Sequence, residues 1–120
     1  MLDILFEKAR DLGRLLGQTN EYQALQRARE QLANDREANR VLNRLGELEE
    51  DVARALEQGQ APPEAVREEY ERLTAELQTS PVYQAFIVAQ SNFDKVLVRM
   101  NDEISKGMEA GAQSRIILPS

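Results

Sequence analysis

Two apolar ladders separated by a breaker constrain this chain more than any other feature. Ala38, Val41, Leu45, Leu48, Val52 and Ala55 step by three and four, and so do Val66, Tyr70, Leu73 and Leu77. That alternation keeps each set on one side of an α-helix and is incompatible with the two-residue period of a strand. Leu42 and Leu56 widen the first stripe. Between the ladders lies Gly59-Gln60-Ala61-Pro62-Pro63, where Gly59 suits a left-handed helix cap and the second proline suits the first position of a new helix. Two helices joined so briefly must fold back antiparallel with both stripes inward.

The same reading extends in both directions. Leu5, Ala9, Leu12 and Leu16, with Leu2, Phe6 and Leu15 beside them, predict an amphipathic helix over residues 2–16 that stops at Gly17. Asn20 and Gln23 have the spacing of a capping box ahead of Tyr22, Leu25, Ala28 and Leu32, so a second helix should end around Ala33. Asp35 is a natural N-cap for the helix that carries the first ladder. Ser80-Pro81 opens a last helix expected to run to about Met108, with Phe86, Phe93, Leu97, Met100 and Ile104 along one side and Val82, Ala89 and Val96 beside them. So wide an apolar arc calls for more than one packing partner. The expected architecture is all-α: about five helices, an antiparallel hairpin and a long C-terminal helix in an elongated bundle. Residues 1–110 would form a single helical domain and 111–120 a C-terminal tail, in which Ile116, Ile117 and Leu118 would either fray or add to a partner's surface.

Composition narrows the chemistry. The 120 residues include no Cys and no His, which removes disulfides, thiolate metal sites, Cys nucleophiles, His-based triads and the usual zinc sites. A carboxylate-bridged di-iron site needs Glu-x-x-His pairs, which this chain cannot supply. No cofactor or metal is therefore expected. The net charge of −6 disfavours general attraction to nucleic acid or to an anionic membrane surface. No stretch reaches the ~18 apolar residues of a membrane span. The first apolar run contains Asp3 and Glu7 without a basic start, so no signal peptide is expected and the cytoplasm is the expected location.

Candidate functional residues each have a plain structural alternative. Arg36, Arg40 and Arg44 repeat every four residues and would align three guanidinium groups able to track a phosphate backbone. Glu37 and Glu47, three residues from Arg40 and Arg44, favour a solvated face with intrahelical pairing instead. The acidic residues Glu47, Glu49, Glu50, Asp51, Glu64, Glu68, Glu69 and Glu71 flank the hairpin, but no phosphate loop or nucleophile motif accompanies them. They read as solubilising charges, and no catalytic residue is expected. Asn101 continues the stripe Leu97, Asn101, Ile104, Met108, where an amide could fix helix register, or could lie at the stripe's edge in water. Tyr70 and Tyr83 read as aromatics at the rim of a core.

Ala9-Arg10-Asp11-Leu12-Gly13, Glu21-Tyr22, Asp35-Arg36-Glu37-Ala38, the breaker at 59–63 and Ser80-Pro81-Val82 occur in an order and spacing that resembles the YlbF/YmcA family of small helical bacterial regulators, over essentially the whole chain. The resemblance implies five helices, self-association and a role among regulators of competence, sporulation and biofilm formation. In some members this role operates through a complex that steers messenger-RNA processing by a membrane-bound endoribonuclease. It carries over no catalytic residues. Some relatives in that complex are linked to Fe–S clusters held by cysteine, a ligand this chain lacks.

The expected function is therefore that of a non-catalytic adaptor, a homo-oligomer and most simply a dimer, with related helical regulators and RNA-processing machinery as further partners. Leu45, Leu48, Val52, Leu73, Leu77, Phe86, Phe93, Leu97 and Asn101 are the candidate core or interface positions. The competing reading is an RNA-contacting module using Arg36, Arg40 and Arg44.

Overall fold

The computed structural model describes residues 1–117, with side chains as far as Ser114. The helices are α1 (Leu2–Gly17), α2 (Asn20–Ala33), α3 (Arg36–Glu57), α4 (Glu64–Gln78) and α5 (Pro81–Ile117), and there is no strand among the described residues.

Local chemistry explains most of these boundaries. Asp35 is extended and its carboxylate accepts from the Ala38 amide at 2.9 Å, closing the first turn of α3. The Ser80 hydroxyl does the same for Tyr83 at 3.2 Å, with Pro81 in the first helical position. At the end of α3, Gly59 takes φ 71°, and the Gln60 and Gly59 amides donate back to the Ala55 and Leu56 carbonyls at 2.9 and 3.0 Å. This is a Schellman cap, and a side chain at the Gly59 position would be strained.

Three boundaries differ from expectation. The N-cap of α2 is Thr19, whose hydroxyl accepts from the Tyr22 amide at 3.1 Å; Asn20 is already helical, so no capping box forms with Gln23. The Gln23 amide instead reaches back to the Gly17 carbonyl at 2.8 Å. Pro63 lies just outside α4 in an extended conformation, and Glu64 is the first helical residue. Finally, α5 does not stop near Met108 but continues to Ile117. Gly107 and Gly111 each cost about 1 kcal/mol of helix propensity, too little to break a helix otherwise built of good formers such as Met108, Glu109, Ala110 and Ala112. The expectation for the Ile116, Ile117 and Leu118 side chains falls outside the described side chains.

The chain packs as two helix pairs. In the first, α3 lies antiparallel on α4, and Ala38, Val41, Leu45, Leu48, Leu73 and Leu77 form its buried core. Full burial of each leucine stabilises the pair by roughly 2 kcal/mol. In the second and more extensive pair, α2 lies along the N-terminal half of α5 around Leu25, Ala28 and Ala89, with Phe86 and Phe93 against them. Tyr22 meets Phe93 edge to face at 5.2 Å between ring centres. Leu32 of α2 and Tyr83 of α5 pack on the first cluster and join the two pairs. Asn39 strengthens the corner, since its side-chain amide donates to the Leu32 and Asp35 carbonyls at 2.8 Å and to the Ala33 carbonyl at 3.1 Å. The result is elongated: 68 × 38 × 21 Å with a radius of gyration of 21.8 Å, against the about 14 Å of a compact chain this long.

Candidate protein-interaction site

The nine positions singled out from sequence fall into three groups. Leu45, Leu48, Leu73 and Leu77 are buried within the single chain, between α3 and α4. Val52 lies half-buried toward the hairpin tip, while Phe86, Phe93 and Leu97 are half-buried along α5. Asn101 is exposed. The hairpin core is thus closed by the chain itself, and its leucines present no surface to a partner.

The large uncovered apolar surface lies elsewhere. No residue of α1 is buried, and Leu2, Ile4, Leu5, Phe6 and Leu15 are each more than half exposed. Leu2, Leu5, Phe6, Ala9, Leu12 and Leu16 fall on one face of that helix, which is exposed from Leu2 to Ala9 and half-buried at Leu12 and Leu16. On α5, the stripe that α2 covers at Phe86, Ala89 and Phe93 continues through the half-buried Leu97 and Met100 to Ile104 and Met108, and the last two are 42% and 64% exposed. A single exposed leucine means little, whereas a contiguous face marks an interaction site. The candidates drawn from sequence omit α1 altogether. Its stepping pattern signalled an apolar face, but pattern alone does not tell whether another part of the chain covers it.

The basic stripe is engaged by carboxylates. Arg44 grips Glu69 of α4 through two hydrogen bonds, Nε to Oε2 at 2.8 Å and Nη2 to Oε1 at 2.9 Å, and also bonds Glu47 at 2.8 Å. Arg40 bonds Glu37 at 3.1 Å and Glu76 of α4 at 3.0 Å. The pairs to Glu69 and Glu76 bridge the hairpin, a link that intrahelical spacing does not reveal. Two of the three guanidinium groups of the stripe therefore face four carboxylates, a geometry that favours the solvated-face reading over phosphate contact. The acidic run contributes to the same network and to an open, mainly apolar groove of about 370 Å³ at the hairpin tip, lined by Glu49, Val52, Pro62, Arg67, Tyr70 and Glu71. Tyr70 donates to Glu49 there at a long 3.4 Å. Among the described residues no carboxylate cluster could hold a metal ion, and no helix is long and apolar enough to cross a membrane.

The fork from Arg44 holds the Glu69 carboxyl below its ordinary value of 4.5, while Glu69 and Glu47 raise the Arg44 guanidinium. A carboxylate whose folded pKa is depressed contributes stability above its unfolded pKa and loses it as pH falls through the lower folded one. Urea denaturation midpoints should therefore drop as pH falls below about 4.5, and should drop less for Glu69→Gln. Parallel pH profiles for the two proteins would show that this pair does not couple to folding.

An all-α chain of two antiparallel helix pairs set in an elongated frame defines a class of small helical proteins. The chain belongs to the family described as control of competence regulator ComK, YlbF/YmcA, whose model matches residues 5–109. It is 22% identical over 102 residues to a UPF0342 protein of Leuconostoc mesenteroides, covering 85% of this chain and 87% of that one. A chain in the crystal structure of Bacillus subtilis RicA in complex with RicF superposes with a TM-score of 0.75 at 17% identity, covering 90% of this chain and 96% of that one. At that identity the likeness concerns the fold.

Proposed function

We propose that this protein is a non-catalytic regulatory adaptor that works by helix-mediated association, with a second copy of itself and with other helical proteins, in the cytoplasm. The observation that carries the reading is the uncovered apolar face on α1 together with the uncovered stripe on distal α5. Burying that surface is the available driving force, at about 25 cal/mol per Å² of apolar area removed from water. Membership of a family described as controlling a competence regulator supports a regulatory role. The structural neighbour was solved bound to a second protein, which supports protein partners here. The link to sporulation, biofilm formation and messenger-RNA processing comes from the family resemblance and belongs to this proposal.

Light scattering behind size exclusion, across a tenfold dilution, tests the association step. A mass near twice the 13.6 kDa chain is the expected result. A monomer at every concentration would remove self-association from the proposal. The RNA alternative predicts binding that weakens steeply with salt, and it requires Arg40 and Arg44 to leave their carboxylates.

A further inference from the structure

We propose that the apolar face of α1 in one copy packs along the uncovered distal part of α5 in a second copy, and reciprocally, closing a two-fold dimer. The proposal deepens the self-association reading above and rests on it.

The two faces match in length. The 16 residues of α1 span about 24 Å, and the part of α5 from Met100 to its end spans about 27 Å. The α5 stripe is one continuous surface, and α2 covers its N-terminal part in the manner that a further helix could cover the rest. Because α2 runs antiparallel to α5, the start of α2 lies level with the α5 residues near 95–99, where pocket-forming Glu21 sits beside Lys95 and Arg99. The segment that precedes α2 is α1, but it does not lie on its own α5: Ile104 and Met108 are exposed, and so is every large residue at the start of α1.

The joint between α1 and α2 explains why. The Gln18 and Thr19 amides donate to the Leu15 and Leu16 carbonyls at 3.1 and 3.2 Å, and the Thr19 hydroxyl donates to the Leu16 carbonyl at 2.7 Å. The same hydroxyl accepts from Tyr22, and the Gln23 side chain holds the Gly17 carbonyl. A two-residue joint pinned on both sides sets the direction of α1 and holds its apolar face away from the chain's own distal α5. Each copy therefore offers one donor face and one acceptor face, which is the requirement for reciprocal exchange across a two-fold axis.

Area is sufficient. A helix about 10 Å wide and 24 Å long has a projected face of about 240 Å². Two reciprocal contacts engage four such faces, about 1,000 Å² in total, which meets the threshold for a specific interface. Distal α5 also gains from a partner: residues 101–114 are all exposed, and the helix there carries local ion pairs such as Arg99–Glu103 and Lys106–Asp102. Gly107 and Gly111 have nothing within 4 Å of where a side chain would begin, leaving room for a closely approaching helix.

Two double variants test the pairing: Leu5→Asp with Phe6→Asp on α1, and Ile104→Asp with Met108→Asp on α5. All four positions are exposed in the single chain, so the helical signal should persist. Each variant alone is expected to self-associate at least about a hundredfold more weakly than wild type, because every reciprocal contact would bury unpaired charge. Mixing the two should restore association in part, since the mixed dimer retains one contact between an unaltered α1 and an unaltered α5 while its other contact sets the two altered faces together. If either variant loses helicity, Ala9→Cys on one chain and Met108→Cys on another replace them. These are the midpoints of the two faces in either helix direction, and the chain has no other thiol. A bismaleimide should then give a mixed covalent dimer. An α1 variant that associates as well as wild type would overturn the pairing and leave self-association standing. So would two monomeric variants that do not rescue each other, or cysteine chains that associate without cross-linking. A monomeric wild-type protein would overturn both readings.

Discussion

Leu48→Ala is expected to lower the thermal midpoint by roughly 10–15 °C at fixed protein concentration. Leu48 is 1% exposed, the most completely enclosed large side chain among the described residues, and sits among Leu45, Leu73 and Leu77 between α3 and α4. Truncation removes the transfer free energy of the deleted atoms and leaves a cavity, together about 3 kcal/mol in a site whose neighbours collapse only partly. Each 1 kcal/mol moves the midpoint by roughly 3–5 °C in a domain this size. The loss is a large part of a total stability of the order of 5–15 kcal/mol. Calorimetry decides the matter: a shift under about 3 °C would mean that the hairpin core is not where the leucine ladder is enclosed. Measuring both proteins at one concentration matters, because association by itself raises the midpoint.

That residue also shows where sequence reasoning succeeds. Leu48 lies in a ladder whose period admits one local structure, beside a partner ladder reachable only by an antiparallel turn, so local pattern and topology agree. The caps at Asp35, Gly59 and Ser80 were legible for the same reason, since each depends on residues within one turn of itself. Thr19 was missed in favour of Asn20 because both residue types cap well and only the backbone conformation separates them. The reach of α5 past Met108 was missed because two glycines weaken a helix without ending it. The candidate site was least legible. The pattern in α1 announces an apolar face, but whether that face is covered depends on the direction fixed by the Gln18-Thr19 joint, and no periodicity encodes that. Likewise the spacing of Arg40 and Arg44 shows their intrahelical partners, while Glu76 and Glu69 become visible only once α4 is laid against α3.

Replacing Phe93 and Leu97 together by aspartate is expected to detach α2 from α5 while leaving the α3–α4 hairpin folded. Phe93 supplies the edge-to-face contact with Tyr22 and packs on the Leu25, Ala28 and Ala89 cluster. Leu97 continues the same stripe and is half-buried. The substitutions remove apolar area and place two carboxylates against a surface that offers no cationic partner inside the cluster, a cost of about 4 kcal/mol for the pair. The hairpin core depends on Leu45, Leu48, Leu73 and Leu77 and meets the second pair through Leu32, Tyr83 and the Asn39 hydrogen bonds at the corner, so the damage should stay local. Hydrogen exchange separates the two regions. Amides of residues 20–33 should lose protection by about a thousandfold, at 1.4 kcal/mol per factor of ten, while those of α3 near Leu48 change little. Equal loss in both would mean that the pairs fold as one unit through the Leu32 and Tyr83 contacts. Unchanged protection in α2 would mean that the aromatic cluster does not hold α2 on α5, and that the helix is kept in place by its joints to α1 and α3.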